Sequence, residues 1–105
     1  MITQGKRIFE TDHRALDALT EPGSYMHFYN DITGKWCWFG VCPTERSDDP
    51  KSPFFQPVVC ALGAHDVVEH EDGTITVSPS IQVTRRIDEP ELWHGYLERG
   101  IWRTL

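Results

Sequence analysis

The chain has 105 residues and sets 10 Lys and Arg against 16 Asp and Glu, a formal charge of −6 at neutral pH. That length suits one domain with one modest core, the acidic balance argues against a nucleic-acid backbone as partner, and no stretch approaches the roughly 20 apolar residues of a membrane helix. Three cysteines behind an N-terminus with no apolar signal segment point to reduced thiols in a cytoplasmic protein with no disulfide framework.

In chain order, Lys6 to Glu10 reads as a short strand through Ile8 and Phe9. Thr11 or Asp12 then caps a short helix over about 12–20, whose narrow apolar face is Ala15, Leu16, Ala18 and Leu19 and whose end is Pro22-Gly23. A first hairpin is expected over 24–41. Tyr25, His27 and Tyr29 alternate with Met26 and Phe28, Thr33-Gly34 supplies the turn, and the returning strand carries Trp36, Cys37, Trp38 and Phe39. Large side chains occupy both faces here. The stretch 43–57, with four prolines and a polar centre, reads as an exposed loop, and its length marks it for a role beyond connection. Within it, Phe54-Phe55 is either a plug returning to the core or an exposed contact.

A short apolar run, Val58 to Leu62, leads into a second hairpin over 64–83, signalled by Asp72-Gly73 between two β-prone runs. If Asp72 and Gly73 are the two turn centres, Glu71 opposes Thr74, His70 opposes Ile75 and Val68 opposes Val77. One face then carries Val68, His70, Ile75 and Val77. Pro79 cannot donate to a ladder, so it places this strand at an edge or a bulge. A charged connection through Arg85 and Arg86 leads to a third hairpin over 92–104, turned by Arg99-Gly100, with Leu97 opposite Trp102. The fold class is therefore mainly β, a small α+β domain over 1–105 in which antiparallel hairpins form a rolled sheet or a compact sandwich beside one short N-terminal helix.

Two segments carry a resemblance. The run from Glu69 to Ile81, with Ser78-Pro79-Ser80-Ile81, and the run Trp93-His94-Gly95-Tyr96-Leu97-Glu98-Arg99-Gly100-Ile101-Trp102 resemble a group of small proteins of tailed bacteriophages and prophages. Those proteins share a Ser-Pro-Ser-Ile segment followed by a Trp-His-Gly, aromatic, Gly and aromatic ending. The resemblance covers about the last 40 residues and implies a phage origin and the host-cell cytoplasm as location. It brings no activity. Some relatives carry cysteines near both motifs that this chain lacks, which weakens a metal reading.

The residues themselves supply little chemistry. Cys37, Cys42, Cys60, His65, His70 and His94 are the available zinc ligands, but there is no Cys-x-x-Cys pair, and Cys37 and Cys42 point to opposite faces of a strand. His70 reads as a half-buried histidine with one hydrogen bond. No nucleophile, base and orienting group stand at a recognisable spacing, Ser78 and Ser80 flank a proline with no nucleophile-elbow glycines, and the glycines form no phosphate cradle, so no catalytic residue and no cofactor is assigned. Binding is what remains. Its anchors would be exposed members of Trp36, Trp38, Tyr25, Phe54, Phe55, Trp93 and Trp102. The leading expectation is a phage accessory protein that binds, and inhibits, a host defence or metabolic protein. The alternatives are a small-molecule binder, stacking a nucleotide base on Trp or Tyr with Arg85, Arg86 or Arg103 on phosphate, and a virion or assembly component that self-associates.

Overall fold

The computed structural model describes residues 2–9, 21–30, 32–84 and 90–105. The helix expected over 12–20 and the pair Arg85 and Arg86 lie outside those residues. Among the described residues there is no helix. These residues form nine strands: β1 (Ile2–Gln4), β2 (Lys6–Ile8), β3 (Ser24–Asn30), β4 (Lys35–Val41), β5 (Val59–Ala61), β6 (Asp66–Glu69), β7 (Ile75–Thr84), β8 (Glu91–Glu98) and β9 (Ile101–Thr104).

They form two sheets, one of five strands in the order β1-β9-β8-β7-β6 and one of four in the order β2-β3-β4-β5. All pairings are antiparallel except β2 with β3. The chain passes from the first sheet to the second at Gly5, whose N–H donates to Gly100 O at 2.7 Å. A Cβ at Gly5 would lie 2.3 Å from that oxygen, so only glycine allows the crossing.

Alternation along the strands builds one main core between the sheets. Tyr25, Cys60 and Leu62 come from the four-stranded side, Ile75, Val77, Ile81, Trp93, Leu97 and Trp102 from the five-stranded side. On the other face of the four-stranded sheet, Met26, Phe28 and Val41 form a second buried cluster with Ile8 and Phe39 against it.

The second hairpin differs from its expected register by one residue. Glu69 opposes Ile75, Val68 opposes Thr76 and Val67 opposes Val77. The Asp72 side chain accepts both the N–H (3.0 Å) and the hydroxyl (2.6 Å) of Thr74, while His70 N–H closes the loop on Thr74 O. Asp72 therefore bonds ahead along its own chain, and Gly73, at φ 85°, takes the left-handed position of a longer loop. The slip exchanges the faces. Val68 is exposed instead of buried, and His70 bonds Thr76 Oγ1 at 2.6 Å instead of facing Ile75.

Pro79 lies in β7, between β6 and β8, and a bulge accommodates it. Three residues, Ser78 to Ser80, stand between the pairs Val77 with Leu97 and Ile81 with Gly95, where β8 has Tyr96 alone.

Candidate binding surface

The first hairpin gathers the aromatics. Register sets His27 opposite Trp38 and Tyr29 opposite Trp36 on one face. The rings form a continuous rank: His27 stacks on Trp38 (4.4 Å, 9°), reaches Trp36 at 4.8 Å, and Trp36 meets Tyr29 at 5.3 Å. The rank runs from core to solvent. Trp38 packs against the main cluster, whereas Trp36 is 54% and Tyr29 40% exposed.

At the inner end lies Arg7 of β2. Its guanidinium carbon stands 5.0 Å from the Trp38 ring centroid and 4.6 Å from that of Phe9, which is 72% exposed. Its Nη1 donates to Gly73 O at 2.8 Å and lies 3.5 Å from Glu69 Oε2, so this cation ties the four-stranded sheet to the β6–β7 loop. Its Nε is buried without a partner. Burial pushes the His27 pKa below its ordinary value, with Glu69 opposing and Arg7 reinforcing the shift. Beyond Glu69, an open concavity of about 530 Å3 is lined by Glu69, His70, Glu71, Asp72 and Arg99. Carboxylates thus border the aromatic rank.

A second depression, of about 540 Å3, lies where the 43–57 loop crosses the ends of β8 and β9, lined among others by Arg46, Phe54, Leu92, Trp93 and Thr104. The loop is closed on itself there. Ser47 N–H bonds Phe54 O, and the Arg46 guanidinium donates to Phe55 O. Trp93 forms the floor, its indole N–H on Thr104 Oγ1 at 3.1 Å.

No family profile, curated protein or solved structure matches this chain.

Of the expected anchors, Trp36 is exposed and Trp38 half-buried behind it. Tyr25, Trp93 and Trp102 are core residues and so are not among the exposed members of that set: Trp102 is fully buried with its N–H on Gly23 O at 2.8 Å. Phe54 turns back against the main cluster, the plug of the two readings, and Phe55 is half-buried. The six candidate metal ligands do not converge. Cys42 and Cys60 lie side by side (Sγ to Sγ 3.7 Å), Cys37 pairs with Phe28 on the opposite face, His70 bonds Thr76, and His65 and His94 both reach Ser80. Among the described residues no three His, Cys, Asp or Glu side chains come together as a metal site, and no helix is long and apolar enough to cross a membrane.

Sequence reasoning missed His27, Tyr29, Arg7 and Phe9 as parts of one surface. The signal was present in the alternation Tyr25, His27, Tyr29 against Trp36, Trp38, which the register of Tyr29 opposite Trp36 superposes on a shared face. Arg7 carried no such signal, because its partners come from β4 and the β6–β7 loop.

Proposed function

We propose that the protein acts by binding another protein, as an accessory protein of tailed-bacteriophage origin that engages and inhibits a host defence or metabolic protein in the host cytoplasm. The observation that carries this reading is the exposed outer end of the aromatic rank, Trp36 with Tyr29, continued toward Phe9 by Trp38 and Arg7. Tryptophan and tyrosine exposed together on a rigid hairpin supply large contact area at little entropic cost, the composition of interface anchors. The neighbouring Glu69, Glu71 and Asp72 select a partner with a basic rim. Residues of both sheets meet in one cluster, which supports the compact-sandwich reading over a rolled sheet and makes the hairpin a firm platform.

The test is affinity capture from host cytosol with three baits: the native chain, Trp36→Ala, and Ile101→Ala on the five-stranded sheet as a control. The expected result is one stoichiometric partner held by the native chain and by Ile101→Ala and lost with Trp36→Ala. A partner held equally by all three would place the contact elsewhere.

A small-molecule reading is favoured by one observation, the depression floored by Trp93 and Phe54. It suits a flat apolar ligand. A nucleotide fits less well, since Arg46 already bonds Phe55 O and Arg103 pairs with Glu98 at 2.9 Å.

A further inference from the structure

On the outer face of the five-stranded sheet, one side chain of β7 and two of β8 stand in a relay. Ser80 Oγ lies 3.1 Å from His94 Nε2. The other ring nitrogen, His94 Nδ1, faces Glu91 Oε2 at 3.8 Å. The same carboxylate oxygen accepts Gln82 Nε2 at 2.7 Å, and Gln82 is the cross-strand partner of His94. The backbone of Ser80 is held as well: its carbonyl lies 3.3 Å from His65 Nε2, and the bulge over Ser78 to Ser80 sets the direction of its side chain. Nucleophile, base and orienting carboxylate are thus present in order, and the carboxylate is itself anchored. With the ring proton on Nδ1, the nitrogen on the side of the Glu91 carboxylate, the Nε2 lone pair is free to accept the serine proton.

We propose that Ser80, His94 and Glu91 form a nucleophilic site that reacts with small activated carboxylic esters. The Ser80 oxygen adds to the ester carbonyl while its proton passes to His94 Nε2. The acyl carbon–alkoxide bond then breaks, and the leaving alkoxide takes that proton. In the second half, water gives a proton to Nε2 as its oxygen adds to the acyl carbon. The Ser80 oxygen leaves and recovers the proton, so the products are the acid and the alcohol. Ser80 and His94 are the catalytic residues, and Glu91 and Gln82 are positioning residues. His94 and Glu91 side chains are 32% and 44% exposed, so an ester reaches the site from solvent without an enclosing pocket. The Ser-Pro-Ser-Ile segment and the Trp-His-Gly segment thereby acquire a shared purpose, since one supplies the nucleophile and the other the base.

The experiment uses the full chain with two probes, p-nitrophenyl acetate for turnover and an alkyl fluorophosphonate for trapping, in which the Ser80 oxygen displaces fluoride. The expected result is phosphonylation confined to Ser80, lost on unfolding in urea, with nitrophenolate release that Ser80→Ala abolishes and His94→Gln slows by about 100-fold, the low end of general-base assistance. Glu91→Gln slows labelling of Ser80 while leaving the melting temperature unchanged, which a merely structural carboxylate would not do. Three results would overturn the proposal. These are no label on Ser80 in the folded chain, a label of equal rate in native and His94→Gln protein, or ester hydrolysis that survives Ser80→Ala and so belongs to surface imidazoles.

Discussion

Trp102 of β9 packs against Gly40 of β4, so close that a Cβ at residue 40 would stand 2.9 Å from the indole Cη2. The ring cannot retreat, because its N–H is bonded to Gly23 O and it packs at near right angles to Trp93, ring centroids 5.4 Å apart. This contact joins the two sheets at the centre of the main core. Gly40→Ala should cost about 1–3 kcal/mol by overpacking. Trp102→Phe should cost more, about 3 kcal/mol, by adding a cavity and removing one of the two donors on Gly23 O, which keeps only the Lys6 N–H. Urea denaturation of both variants checks the order.

Arg7 should behave as a structural cation. With only 14% of its side chain exposed, stacked near Phe9 and Trp38 and bonded to Gly73 O, it leaves an unpaired carbonyl and two uncovered rings when removed. Arg7→Ala should lose about 1–3 kcal/mol. Arg7→Lys should recover only part, since an ammonium reproduces the charge but not the planar stacking.

Stability should fall in two steps as pH drops. His27, held below its ordinary value of 6.5 mainly by burial, binds fewer protons folded than unfolded between the two values. Its contribution is therefore complete above 6.5 and declines as pH falls from there through the folded value. Asp72 is shifted down by the Thr74 hydroxyl and then by the Thr74 N–H. Its contribution is present above the ordinary 3.8 and is lost as pH falls through its folded value. Melting curves against pH should lose the first decline in His27→Gln and the second in Asp72→Asn.

Much of the local structure was legible in the sequence, and the reasons are particular. Thr33-Gly34 and Arg99-Gly100 mark chain reversals by residue type alone, and Leu97 does stand opposite Trp102. Asp72-Gly73 marks the turn too, but its register depends on where the aspartate side chain bonds, and the bond to Thr74 moves the pairing by one residue. Sheet membership was not legible. β1 pairs with β9 and β2 lies parallel to β3, contacts fixed by which faces the core can bury and not by any neighbour in the chain. For the same reason alternation flagged four tryptophans without separating exposed Trp36 from buried Trp102. The Ser80–His94 contact depends on the bulge between Val77 and Ile81, which shifts the register between the two strands.

The three thiols should separate by reactivity. Cys42 and Cys60 are buried, and the hydrogen bond to Cys60, then burial, pushes the Cys42 thiol up. Cys37 is half-buried. Thiolate is the reacting form, so a disulfide reagent such as dithionitrobenzoate should modify Cys37 in the native protein and the other two only in denaturant. Cys37→Ser should remove the native reaction.

Arg99 occupies the left-handed region at φ 46°, beside Gly100 at φ 76°, in the two-residue turn between β8 and β9. Asparagine tolerates that conformation better than arginine. Arg99→Asn should stabilise by up to about 1 kcal/mol, seen as a rise of several degrees in Tm.

The most direct measurement of the central claim is calorimetric titration of the purified partner into the native chain and into Trp36→Ala, with melting temperatures of both recorded. Binding through the aromatic rank predicts an unchanged Tm and a loss of about 2 kcal/mol or more, at least roughly 30-fold in Kd. Equal affinity for the two proteins would contradict it.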